Sequence, residues 1–466
     1  MIPFFPQTIA KRAIAVYLIA LSLVSIVFVG YVMSWTYILL GVFWVTGFFL
    51  LTSKWTMTWK VMPDKAFVKR LFWVAVSIRL VWVVVSYYYY NAVTGQPFEF
   101  GAADAISYHS EAEWLAGCNW PFIWDYYFGG LGISDVGYPL YLTVIYKIFG
   151  PVVIIPRIFK AFISAYTCVL LYKISQRSFG EDTARMVGIM SALMMNLVFY
   201  CGYHLKETEM LFLEVAFLER TDYMIRSHKT TFWNILLSSL LIASMFFFRT
   251  VLGTVAAFSW ATAVLLMNTP SMKRGWKRLT LIGWGVLCLL VLSGGTVMTE
   301  IEAYWERKGE NLENKRLEQT LRGNQWAQYA TATVMAPMVV VLPFATMTDV
   351  AGQYGQQEKH GGNYIRNFMG FFAILGIYEA FRRKKWRDFS LIGSFGIAYL
   401  GIVAVSGFSN AERFLLPGLP ILIMIWAYGV ATLRKGTFKL LFPWCFVVVA
   451  MELAWAYFKL GSRGLF

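Results

Sequence analysis

The sequence predicts an all-α polytopic membrane protein with about 13 transmembrane helices, and three observations carry that prediction. Of 466 residues, 58% are hydrophobic and 14% charged, with a mean hydropathy of +0.56. A soluble domain of this size needs more charge to cover its surface. Apolar runs long enough to cross ~30 Å of hydrocarbon recur along the chain. Basic residues gather in short clusters between alternate runs. The net charge of +15 therefore reads as topology rather than nucleic-acid binding. Aromatics make up 18%, including 19 Trp and 26 Tyr, which suits two membrane–water interfaces.

In chain order the expected spans are 13–33, 36–52, 71–90, 157–174, 185–203, 207–222, 232–248, 250–267, 279–297, 365–381, 388–407, 414–433 and 439–458. The first follows MIPFFPQTIAKR, which lacks a small-residue cleavage site, so it reads as a helix of the protein. Lys60 and Arg70, Arg177 and Arg185, Lys273 and Lys277, Arg382 and Arg387, and Arg434 and Lys439 all fall on one side if the N-terminus is cytoplasmic. Counting 137–153 as a span would reverse everything after it, so that run is expected to lie on the surface. Two long outer segments result, 91–156 and 298–364. The second holds an apolar stretch, Thr331 to Met347, broken by Pro337 and Pro343 and read as re-entrant or interfacial. The chain is thus one transmembrane domain, 1–466. Cys118, Cys168, Cys201, Cys288 and Cys445 form no CxxC and no disulfide framework.

The first outer segment begins GAADAISYHSEAEWLAGCNW. Asp104, Tyr108 and Glu111 keep helical spacing, as do Ala105, His109 and Ala112, which describes a short amphipathic helix on the membrane surface. A Gly-rich turn and a second amphipathic run follow. Asp104 in a first turn meets the positive end of the helix dipole, and on residue type alone it is equally a simple N-terminal cap. His109 is open between an interface hydrogen bond and an acid–base role. GYHLKETEM carries His204, Lys206, Glu207 and Glu209 in one short outer turn, either a solvated hairpin tip or a cavity wall. Arg249 and Arg157 are outer-face cations that suit lipid phosphates among other anions. Glu214 within a span is a functional candidate or a polar helix contact.

The pattern D-A-x-x-Y-H-x-x-A-x-x-L from Asp104 to Leu115, followed by G-Y-P-L-Y-L-x-x-x-Y-x-x-F-G from Gly137, resembles the first periplasmic loop of GT-C glycosyltransferases. It is similar to the bacterial members that resemble protein O-mannosyltransferases and the lipid A aminoarabinose transferase. Arg157-Ile-Phe-Lys160 and Arg413-x-x-x-Pro417-x-x-Pro420 resemble that group's later motifs, whereas two helices within 1–70 precede the usual first one. The resemblance implies an inverting transfer from a polyprenyl-phosphate sugar to a hydroxyl of a lipid, glycan or protein acceptor. It implies Asp104 as general base, with His109 as a second acid–base or orienting group. Arg249, Arg413, Lys206 and Arg157 would hold the donor phosphate, and Tyr108, Glu207 and Glu209 the sugar or acceptor. The loop reads D-A-I and not D-x-D, so no metal is expected, with a divalent cation left open; Asp125 and Asp135 are further acids that folding can bring in. The implied location is the bacterial inner membrane, multi-pass, with the site on the periplasmic face. A lipid-linked sugar flippase or a polysaccharide polymerase or ligase is the alternative.

Overall fold

The computed structural model describes residues 2–129, 135–227, 231–266, 343–405, 412–461 and 463–465. The expected span 279–297, most of the second outer segment and Pro337 lie outside these residues. Elsewhere a helix stands at each expected span. The chain runs α1 (Gln7–Val27), α2 (Trp35–Thr58), α3 (Asp64–Thr94), α4 (Ala103–Ala116), α5 (Trp120–Phe128), α6 (Gly137–Phe149), α7 (Ile154–Phe179), α8 (Glu181–Leu193), α9 (Met195–Gly202), α10 (Glu207–Arg226), α11 (Phe232–Phe248) and α12 (Thr250–Leu266). It resumes as α13 (Tyr354–Glu358), α14 (His360–Arg382), α15 (Ser390–Val405), α16 (Glu412–Leu415), α17 (Leu419–Ala431), α18 (Lys435–Phe438) and α19 (Leu441–Gly461). Among the described residues, six helices are long and apolar enough to cross a membrane, seven if the bent pair α8–α9 is one span. The rest are shorter or more charged, so the architecture is polytopic and all-α without fixing the number at thirteen.

The boundaries moved where local chemistry dictated. α1 starts six residues early because Pro6 fixes the turn before it and cannot continue a helix backwards. α3 runs on to Thr94 and stops where Gly95 takes φ +75°, a left-handed cap that glycine adopts without cost. α6 takes up the first 13 residues of the run 137–153 and ends at Phe149. At 1.5 Å per residue it is about 20 Å long, too short to cross ~30 Å.

Packing follows the demand that every buried backbone group be satisfied within the chain. α1 lies against α2 and α19, and α2 against α8 and α14, so the N-terminal pair is part of the bundle. Gly41 allows that closeness, since a Cβ there would sit 2.2 Å from the His360 ring. Gly376 and Gly429 let α14 and α17 touch backbone to backbone, as small residues do between membrane helices. The outward faces of α1 to α3 expose Ile26, Leu39, Phe43, Trp73 and Val81, a surface suited to lipid.

Ion pairs define one end of the bundle. Arg185 bridges to Asp64 at 3.0 Å and Glu181 at 2.5 Å, Arg177 holds Asp222 at 2.7 Å, and Arg434 lies 3.9 Å from Glu379. Arg226 donates to the Asp388 carbonyl. These contacts join the α2–α3, α7–α8, α10–α11, α14–α15 and α17–α18 turns, which carry the basic clusters. The α4–α6 segment, the α9–α10 and α11–α12 connections and α16 gather at the other end.

Candidate functional site

α4 begins at Ala103 and places Asp104 in its first turn, half exposed and facing the bundle. Arg413, from the short helix α16, reaches across and pairs with it. Between them they join segments 309 positions apart. The Arg413 guanidinium lies 5.1 Å from the Phe414 ring centre, and Arg249 lies 4.5 Å from the same ring. One aromatic ring thus brings two guanidiniums together, by the cation–π attraction that favours arginine over flat rings. Arg249 occupies an extended residue between α11 and α12, within electrostatic reach of the Tyr399 hydroxyl. Its Nη1 is buried and finds no hydrogen-bond partner among the described residues.

Lys206 precedes α10 and forms the third cation. It donates to the Phe248 carbonyl at 3.1 Å and pairs with Asp135. Burial lowers its affinity for a proton, and Asp135 opposes that shift. Glu207 is 2% exposed and within electrostatic reach of Lys206, Arg249 and Arg413, with no hydrogen-bond partner for Oε2 among the described residues. Tyr108 stacks edge-on against Tyr138, with ring centres 5.3 Å apart, and faces Asp135, Glu207, Asp104 and Arg413. Its hydroxyl is held protonated, mainly by burial.

The other expected site residues form a separate buried group behind α4. His109 Nδ1 lies 2.8 Å from the Tyr146 hydroxyl, which lies 3.2 Å from His204 Nε2. The His204 backbone N–H donates to Glu99 at 3.2 Å. Arg157 donates to the Pro97 carbonyl at 2.5 Å and sits beside Glu99. Glu209 lies 3.7 Å from Lys160. Burial dominates the electrostatics: it lowers His109 and pushes His204 well below the usual imidazole range, helped there by Arg157 and Lys160, and it raises Glu99 against the pull of Arg157. Both imidazoles are therefore neutral near pH 7.

Seven side chains thus share the exposed end of the cluster: Asp104, Tyr108, Asp135, Lys206, Glu207, Arg249 and Arg413. Among the described residues, the hydrogen bonds and ion pairs of Arg157, His109 and Glu209 go instead to Pro97, Tyr146, Glu113 and Lys160. Of the two further loop acids, Asp135 enters the cluster. Asp125 stays in α5, its carbonyl accepting from the Gly129 N–H. Asp135 holds φ +65°, a left-handed turn that Asp tolerates better than most residues. Among the described residues no three His, Cys, Asp or Glu side chains are arranged to hold a metal ion.

The bundle gathers carboxylates and cations at one end, and its family match places it in the class of membrane-bound glycosyltransferases. Residues 124–462 match the Alg9-like mannosyltransferase family, a GT-C family, and the chain belongs to it. It is accordingly an enzyme that works with a lipid-linked sugar and an acceptor, and the flippase alternative is set aside. The match covers Arg157, Lys206, Glu207, Glu209, Arg249 and Arg413, and begins after Asp104, Tyr108 and His109. No curated protein matches the chain.

Proposed function

We propose that the protein transfers a mannosyl group from a polyprenyl-phosphate donor to a hydroxyl of a lipid, glycan or protein acceptor, with inversion, at the outer face of a bacterial inner membrane. The end bearing the basic turns is then cytoplasmic. The observation that carries this reading is the Asp104–Arg413 pair, flanked by Arg249 and Lys206. It supplies a base beside a phosphate site. Asp104 accepts the proton of the acceptor hydroxyl as that oxygen attacks the anomeric carbon. The bond from that carbon to the phosphate oxygen breaks on the opposite face. The lipid phosphate leaves carrying the electron pair. Arg413, Arg249 and Lys206 balance its charge, arginine by gripping two oxygens at once. In the resting site Arg413 holds Asp104. An arriving phosphate competes for that guanidinium and frees the carboxylate for the acceptor. Glu207 and Tyr108 face the sugar or acceptor hydroxyls, and His109 supports α4 through Tyr146.

The test is transfer from radiolabelled polyprenyl-phosphate mannose to a membrane acceptor. Asp104→Asn should lower kcat by about 10²- to 10⁴-fold, the range for a lost general base. Arg413→Ala should raise the donor KM. Full activity of Asp104→Asn would overturn the base assignment, and transfer of a different sugar alone would overturn mannose.

A further inference from the structure

The residue before Arg413 is an acid that faces the opposite way. Glu412 is a half-buried residue whose side chain is 8% exposed. Lys359 lies 3.1 Å from its Oε2, and Asn196 Nδ2 donates to its Oε1. Both partners are themselves built in. Lys359 sits over the rings of Tyr200 and Tyr203, at 5.3 and 5.4 Å. Asn196 is fully buried and lies two residues past Met194, where α8 and α9 meet at 41°. Arg366, also buried, adds a positive field at Glu412. A buried carboxylate is costly unless paired and hydrogen-bonded, so this arrangement is specific to a charge at position 412.

α16 is only four residues long. The Tyr399 hydroxyl donates to the Phe414 carbonyl at 3.1 Å, and Glu412 is gripped from the bundle side. Arg413 projects from the same turn to Asp104 and the Phe414 ring. A four-residue helix gives little rigidity of its own. We propose that Glu412 is a positioning residue: held by Lys359 and Asn196, it sets the backbone from which Arg413 reaches the donor phosphate and Asp104. This rests on reading Arg413 as a phosphate ligand. The neighbour of Lys359 links the clamp to the N-terminal helices, since the Tyr17 hydroxyl lies 2.7 Å from His360 Nε2.

The experiment is a set of steady-state measurements on the full chain in detergent, with polyprenyl-phosphate mannose as the probe. The variants are Glu412→Gln, Lys359→Gln, Arg413→Ala, the double Glu412→Gln/Arg413→Ala, and the exchange Lys359→Glu/Glu412→Lys. Glu412→Gln and Lys359→Gln should each raise the donor KM by about 10- to 100-fold, with a smaller change in kcat, as expected for a misplaced binding group. Glu412→Gln should cost nothing further once Arg413 is alanine. The exchange should recover most of the loss. Arg413→Ala with ordinary kinetics would sink the phosphate reading itself. Arg413→Ala impaired, with Glu412→Gln ordinary or its loss multiplying in the double variant, would overturn the clamp alone. Thermal unfolding checks each variant, and loss of the fold in both single clamp variants would overturn it too.

Discussion

His204 shows at the residue scale how burial decides a side chain's charge. Its ring lies between Tyr146, Phe98 and Tyr138, with Arg157 and Lys160 near, and all of these favour the neutral form. The ordinary imidazole value is near 6.5, and the folded value lies well below it. Above pH 6.5 both folded and unfolded chains are neutral at this position, and stability is complete. As pH falls below that, the unfolded chain takes the proton first, so stability is lost progressively towards the folded value. The thermal midpoint in detergent should therefore fall from pH 7 to pH 5, and fall less steeply in His204→Gln. An identical acid slope in both would remove His204 from the account. The residues of this end were partly legible from sequence. Lys206, Glu207, Arg249 and Arg413 were visible because charge in apolar surroundings is expensive and so conspicuous. Which of them meet was not visible: Arg157 and Arg413 look alike in the sequence, yet one faces Pro97 and Glu99 and the other faces Asp104. Asp135 could not be told from Asp125, because nothing local distinguishes them; its partner is 71 positions away.

At the scale of elements, the break between α8 and α9 matters most to the site, because α9 and the turn after it carry Asn196, His204 and Lys206. A break frees backbone carbonyls inside the bundle, where no water can pair with them. Arg79, fully buried in α3, answers that need. It donates to the Ser191 and Ala192 carbonyls at 3.2 Å, to Ser164 Oγ at 2.7 Å and to the Ala75 carbonyl at 3.3 Å. Its positive charge also lies at the negative end of α8. Arg79→Leu leaves two buried carbonyls unpaired, so stability should drop by about 1–3 kcal/mol for each. Arg79→Lys should recover little, because one ammonium does not reproduce the planar fork. Unfolding midpoints of the two variants in detergent check this, and an unchanged midpoint in Arg79→Leu would refute it. Sequence hydropathy found α3 because one arginine barely lowers the mean of a long apolar run. For the same reason it gave no hint of this role, which depends on carbonyls from a helix more than 100 positions away.

For the whole molecule, the same charge asymmetry that suggested an orientation also separates two kinds of ion pairing. At the end with the basic turns, arginines meet acids in short pairs that tie neighbouring loops together, as Arg177 does with Asp222 and Glu219. At the other end Asp104 and Asp135, 46% and 60% exposed, sit on Arg413 and Lys206, where an incoming anion can compete. The fold class was legible because a bilayer forces long apolar helices on any chain that crosses it; the exact number of spans was not, because α11, α12 and α15 are short and α10 and α14 carry several charges. The orientation is testable on the intact molecule. Ser110 lies exposed on α4 near the site, and Lys385 lies exposed in the α14–α15 turn. In a background without native cysteines, Ser110→Cys should react with a membrane-impermeant maleimide added to intact spheroplasts. Lys385→Cys should react only after the membrane is opened. The Debye length at physiological salt is about 8 Å, so the lysine- and arginine-rich end gains most from lying against anionic lipid and the site end gains least. Labelling in the reverse order would put the Asp104–Arg413 pair in the cytoplasm. The lipid-linked donor would then have to present its phosphate from the inner leaflet.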